Sequence, residues 1–305
     1  LHSYWSCKQS HTRRFVVRIL VIQEDIFLQR SMKRKKRSVI LPVCLASILS
    51  VLVLFPVYVL VLCALKEPTS IFELSLLPKS SQIRLENFSE VFERIEFGRY
   101  MLNSFIVAFS VTIVALLFHS MAGVAFSHMR FRGKNAIFVG IMITAAIPFS
   151  VIMIPLFIIV RSMGIANSLL ALILPMIPHA YGIFLYRQFF AGIPHEFYEA
   201  AMIDGASYSR TLFQVFFPMA IPVTISMAVA FFLTNWNNYL WPLVVIHDRN
   251  LWVVQLAITS FKESYSSAWN LIFAASLMAS IPIILLFVFL QRYFISSVKL
   301  AGIKG

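Results

Sequence analysis

The chain has 305 residues, 59% of them hydrophobic and only 13% charged, with a net charge of +13 and a mean hydropathy of +0.82. Soluble domains average about 45–50% apolar and about 25% charged residues, so this balance excludes a soluble globular protein and predicts an all-α integral membrane protein. The basic excess sits in short clusters beside apolar runs, which is the pattern of cytoplasmic loops and not of a nucleic-acid face.

In chain order, residues 1–31 form a mixed basic stretch without a clean period, expected to be a disordered tail or an upstream extension. Met32 is followed by KRKKRSVILPVCL, which reads as a start. The run Lys33 to Arg37 precedes a first span at about 39–64, too long for a signal peptide and without a small-residue cleavage site. Residues 65–98 are a polar loop with six glutamates, Glu67 to Glu96, and fewer bases. A second span is expected at about 100–128, then a basic turn from His128 to Lys134. The third, at about 135–160, carries Pro148 and Pro155 as expected kinks. A fourth at about 168–190, a fifth at about 217–240 and a sixth at about 269–291 complete the count of six. Basic turns and the acidic loop alternate along this order, which places both termini in the cytoplasm.

Between the fourth and fifth spans lies the longest weakly hydrophobic interruption of the C-terminal half, Pro194 to Pro218. Its spacing predicts a short helix, a break and a second helix that runs into the fifth span. Pro194 suits a first turn, and Glu196 and Glu199 lie near the positive end of the helix. Phe197, Ala200, Ala201 and Ile203 share a small apolar face. Gly205 is the expected stop, and Ser207 or Ser209 the cap of the next helix. A loop that only reconnected two spans would need no helix.

Within this stretch stand Glu199-Ala200-Ala201, Asp204-Gly205-Ala206 and, twelve residues after the last alanine, Pro218. This resembles the EAA loop of permease subunits of ATP-binding-cassette importers, with Leu212, Val215 and Phe217 as modest departures at the aliphatic positions. The resemblance implies a type I importer permease fold, with these residues on the coupling helix that fits a cleft in a cytoplasmic ATPase subunit. The alternative reading of the same residues is an interfacial helix–turn–helix on the membrane surface.

Asn235, Trp236, Asn237, Asn238, Tyr239 and Trp241 form a dense amide and aromatic cluster at the expected outer end of the fifth span. Amides suit sugar hydroxyls and aromatic faces suit sugar C–H surfaces, which makes Asn235, Asn237, Asn238, Tyr239 and Trp241 candidate substrate-path residues. Trp and Tyr also gather in interfacial belts, and Asn joins helices, so both readings stand. The stretch TNWNNYLWPLVVIHDRNLWVVQLAITSF resembles the WNEFLWPL region of carbohydrate-uptake permeases, the MalG-like half of maltose-type importers. Asn103-Ser104 and the closing LAGIKG are similar to the same family. What the resemblance implies is a second, MalF-like permease, two MalK-like ATPase subunits and an extracellular binding protein facing 243–268. ATP and Mg would be bound by the ATPase subunits.

No GxxxxGK[ST] is present, and no catalytic constellation or metal-ligand spacing is evident, so neither catalytic nor metal residues are expected. Cys7, Cys44 and Cys63 form no CxxC pair. An ion-coupled secondary transporter normally carries intramembrane charges, and His119 is the main ionisable side chain inside a span. The expected function is a non-enzymatic permease subunit importing a sugar or oligosaccharide across the bacterial plasma membrane. The alternatives are a non-sugar importer permease of the same kind and an ion-coupled transporter.

Overall fold

The structure, a computed structural model, describes residues 41–71, 83–262 and 268–301, with side chains as far as residue 291. The expected tail at 1–31, the run Lys33 to Arg37 and the last four residues of LAGIKG lie outside the described residues. Two compact units divide after residue 60. The first contributes an uninterrupted apolar helix; α1 as a whole runs Leu41–Leu65.

In the second unit, α2 (Glu86–Arg94) precedes α3 (Phe97–His128), which runs unbroken through the expected second span. Then come α4 (Lys134–Thr144), α5 (Phe149–Ser162), α6 (Leu169–Ile173) with a 3₁₀ turn at Leu174–Met176, and α7 (Ala180–Ala191). The interruption supplies α8 (Glu196–Ile203) and α9 (Tyr208–Thr211), followed by a π-helical stretch at Leu212–Phe216, α10 (Phe217–Met219) and α11 (Ile221–Trp236). Two short helices, α12 (Leu240–Val245) and α13 (Val254–Thr259), lead to α14 (Trp269–Ala301).

Among the described residues three helices are long and apolar enough to cross a membrane singly, and the total is six only if each of three bent helix pairs forms one span. The expected third, fourth and fifth spans are therefore not continuous helices. α4 and α5 meet at 102°, the α6 segment and α7 at 42°, and Tyr208–Met219 meets α11 at 85°. Proline accounts for each break. Ala145, Ala146 and Ile147 close tight i→i−3 bonds, and Pro148 adopts an extended conformation ahead of α5. Ile177 keeps helical geometry at φ −69° and ψ −51°, and the helix stops at Pro178, which has no N–H with which to continue the ladder. Pro218 and Pro222 flank the bend at Ala220, and the missing N–H of Pro218 leaves the ladder upstream to widen into the π turn. Pro155, by contrast, lies inside α5.

α3 is the central helix, packed most extensively against α7 and α11. The α3–α7 crossing is close because it has glycine on it. A Cβ on Gly123 would fall 2.5 Å from Cβ of Tyr186 and 3.0 Å from its backbone carbonyl carbon. Three buried clusters follow α3 along its length, represented by Phe97, Trp236 and Leu271, by Val111, Leu172 and Trp241, and by Tyr186, Phe190 and Phe216. The last of these is the floor on which the 194–218 segment rests.

Candidate functional site

The elbow at 194–218 is built by local rules. Pro194 lies just outside α8 instead of in its first turn, and its carbonyl accepts the N–H of Phe197. α8 ends in a Schellman motif: the N–H of Ala206 bonds to the carbonyl of Ala201 at 2.9 Å, and that of Gly205 to Met202 at 3.1 Å. Gly205 takes φ +73°, the left-handed conformation this closure requires. The spacing EAA, two residues, DGA thus corresponds to a closing hydrogen bond from the last alanine of one half to the last alanine of the other. Asp204 occupies the C-cap position. Ser207, not Ser209, caps α9 by accepting the N–H of Arg210.

The predicted apolar face divides in two. Ala201 is buried, whereas Ala200 is exposed and Phe197 and Ile203 are 48% and 85% exposed. Met202, absent from that predicted face, is also exposed at 49%. α8 therefore presents Phe197, Met202 and Ile203 outward, with Glu196 and Glu199 on its exposed first turn. Its inner side is held by aromatic stacking. Tyr198 lies 6.0 Å from His128 at an interplanar angle of 11°, and 5.7 Å from His195 at 26°. The Tyr208 hydroxyl bonds to the carbonyl of Met121 on α3. An open hollow of about 550 Å³ lies between α8 and the turn after α3, bordered by Arg130, His195, Glu199 and Ile203. Pro218 is exposed in α10, at the end of the π stretch.

The amide and aromatic residues are spread around the end of α11. Asn235 donates to the Phe231 carbonyl of its own helix at 2.8 Å. Asn237 is exposed, and its side-chain oxygen accepts from Gln255 at 3.2 Å. Asn238 accepts the backbone N–H of Trp241. Tyr239 packs half-buried against the second cluster. Trp241 is fully buried and donates its indole N–H to the Ala171 carbonyl at 2.8 Å. Trp236 is buried too, donating to Ala279 at 3.2 Å. Within this chain the indoles act as anchors between helices, and Asn237 is the most accessible of the candidate amides.

Residues not singled out for this role tie the 246–254 segment to the start of α3. Asn103 donates to the carbonyls of Asn250 and Trp252, both at 2.9 Å. Ser104 accepts the N–H of Val254 at 2.7 Å. A motif position thus serves to seat the segment that follows α12. His119 is buried, and its Nε2 accepts the backbone N–H of His179 at 3.1 Å while its ring packs on Phe231. Nε2 is thus satisfied, whereas the other ring nitrogen, Nδ1, is buried without a hydrogen-bond partner among the described residues. Among the described residues no group of three or more His, Cys, Asp or Glu is placed to hold a metal ion.

Comparison with known proteins agrees with this architecture. Residues 115–300 match the family described as binding-protein-dependent transport system inner membrane component. The arabinooligosaccharides transport system permease protein AraQ of Halalkalibacterium halodurans is 33% identical over 256 residues, covering 82% of this chain and 91% of AraQ. The sn-glycerol-3-phosphate transport system permease protein UgpE of Salmonella typhi is 34% identical over 253 residues, covering 80% of this chain and 89% of UgpE. A solved bacterial ABC transporter involved in import of the acidic polysaccharide alginate shares the fold, with a TM-score of 0.72 at 22% identity over 84% of this chain and 95% of that one.

Proposed function

The chain belongs to the family of inner membrane components of binding-protein-dependent transport systems, a multi-pass, non-enzymatic transport subunit, and from that membership we propose that it translocates a sugar or oligosaccharide. The observation that carries the mechanism is the elbow at 194–218. A short helix closed by Gly205 offers Phe197, Met202 and Ile203 outward while its aromatic side rests on the end of α3. Exposed apolar side chains on a polar loop are what a docking partner buries.

In this reading α8 couples the spans to ATP hydrolysis on two MalK-like subunits, which hold the ATP and Mg. A MalF-like permease completes the path, and a solute-binding protein docks outside. Both termini lie in the cytoplasm. Closure of the ATPases moves α8, and the π stretch and bend at Ala220 pass that movement to α11 as a rigid-body switch between inward-facing and outward-facing states. The carbohydrate assignment rests on the WNNYLWPL resemblance and on AraQ, a relative named for arabinooligosaccharide transport.

A second reading, a non-sugar solute, has a specific observation behind it: UgpE is named for sn-glycerol-3-phosphate. The test is to tag the C-terminus, extract the complex in mild detergent and identify what co-purifies. An ATPase with a second permease supports the importer assembly, and recovery of the chain alone counts against it. Ligand screening on the matching binding protein then separates a sugar from a phosphorylated polyol.

A further inference from the structure

α8 is joined to the end of α3 by a chain of contacts whose hydrogen positions follow from chemistry. His128, the last residue of α3, places Nε2 at 3.0 Å from the Phe190 carbonyl. A carbonyl only accepts, so Nε2 carries the proton, and in the neutral ring Nδ1 is then an acceptor. His195 Nδ1 lies 3.2 Å from that atom, so it must be the donor. The remaining nitrogen of His195, Nε2, faces Glu199 Oε1 at 3.7 Å. In the neutral pair this nitrogen bears a lone pair directed at a carboxylate, and no bond forms there. One added proton at His195 Nε2 completes the series, with Phe190, His128, His195 and Glu199 each matched donor to acceptor. A second added proton sets two N–H groups against each other across the 3.2 Å gap and opens it.

Geometry singles out the place for the first proton, since His195 Nε2 is the nitrogen of the pair that faces a carboxylate. On the His128 side stands the Lys134 ammonium of α4, held by the carbonyls of Ser127 and Met129. On the His195 side stands Glu199. Arg130 borders the same hollow from the turn after α3, while Tyr198 of α8 stacks on both rings and Tyr208 of α9 lies beyond it.

We infer that His128, His195 and Glu199 form a proton-operated positioning latch that holds α8 against α3 when the histidine pair carries one extra proton. Resting on the coupling role proposed for α8, the latch makes the docking element stiffer as cytoplasmic pH falls through the imidazole range and freer as it rises. All three are positioning residues that act through α8.

Hydrogen–deuterium exchange of the 195–206 segment in the purified full-length complex, corrected for intrinsic exchange, tests this directly. Because the His195–Glu199 pair is partly exposed, its gain is modest: protection is expected to be roughly two- to fivefold greater at about pH 6 than at about pH 8. Further acidification is expected to lose that protection, because a second proton sets two N–H groups against each other across the His128–His195 gap. Glu199→Gln and His195→Asn are each expected to flatten the profile. A flat wild-type profile overturns the latch, whatever the variants do, and so does an unchanged profile in either variant. Co-purification of an ATPase is a separate readout. A flat profile with the ATPase bound removes the latch alone, and a pH-dependent profile without it removes the coupling role.

Discussion

At Gly205, φ is +73° and a Cβ would meet nothing within 4 Å, so the demand for glycine is conformational and not steric. A β-branched residue there is strained by about 1–2 kcal/mol. Gly205→Val is expected to insert at normal levels and lose uptake, whereas Gly205→Asn, which tolerates the left-handed region, retains a substantial part. Membrane abundance measured beside uptake checks both. Trp241 calls for the opposite inference. Its indole is buried and bonded to Ala171, so Trp241→Phe is expected to destabilise by about 1 kcal/mol through the orphaned carbonyl while leaving substrate preference unchanged. Thermal unfolding in detergent and competition among solutes read the two effects, and a changed preference would restore Trp241 to the substrate path. Composition identified this residue as sugar-binding or interfacial. Only its position on α12, packed against α6, shows the contact that occupies it.

At the scale of elements, α3 holds the fold together and its close approach to α7 depends on Gly123. Gly123→Ala drives a methyl into Tyr186 and its backbone, and the overpacking is expected to cost about 1–3 kcal/mol, seen as a lower unfolding temperature and a smaller detergent-stable yield. Hydropathy located the apolar segments, because an apolar run of span length is conspicuous. It did not show that three of them are bent pairs. Proline signals a kink, but whether the chain bends gently at Pro155 or turns through 102° before Pro148 is decided by what the flanking helices pack against. The elbow was more legible, since helix length, stop and cap follow from local hydrogen bonding. Pro194 lies outside α8 and not in its first turn, and the outward Met202 was not among the residues assigned to its face; both depend on where the helix starts and how it is rotated on its floor.

At the scale of the whole molecule, this is one component of a transporter, and its exposed surfaces anticipate partners. If α8 is gripped by an ATPase, charging its apolar face should release that partner without disturbing the spans. The double variant Met202→Glu, Ile203→Asp is expected to insert and to keep the second permease, yet to lose the ATPase from the co-purified complex. Retention of stoichiometric ATPase would show that the grip lies elsewhere. A charge buried in an apolar contact without a partner is strongly unfavourable, so two of them are enough to separate subunits during extraction.

The sequence by itself determined that the chain is helical and membrane-embedded, where its apolar segments lie, and that the EAA and DGA halves close one helix around Gly205. Each of these rests on solvent preference or on bonds between residues a few positions apart. The tertiary structure decided which apolar segments are bent, that Trp236 and Trp241 face inward, that Asn103 and Ser104 seat the segment after α12, and that His128 meets His195 across 67 positions. Those depend on distant side chains competing for the same space, and no local pattern records that competition.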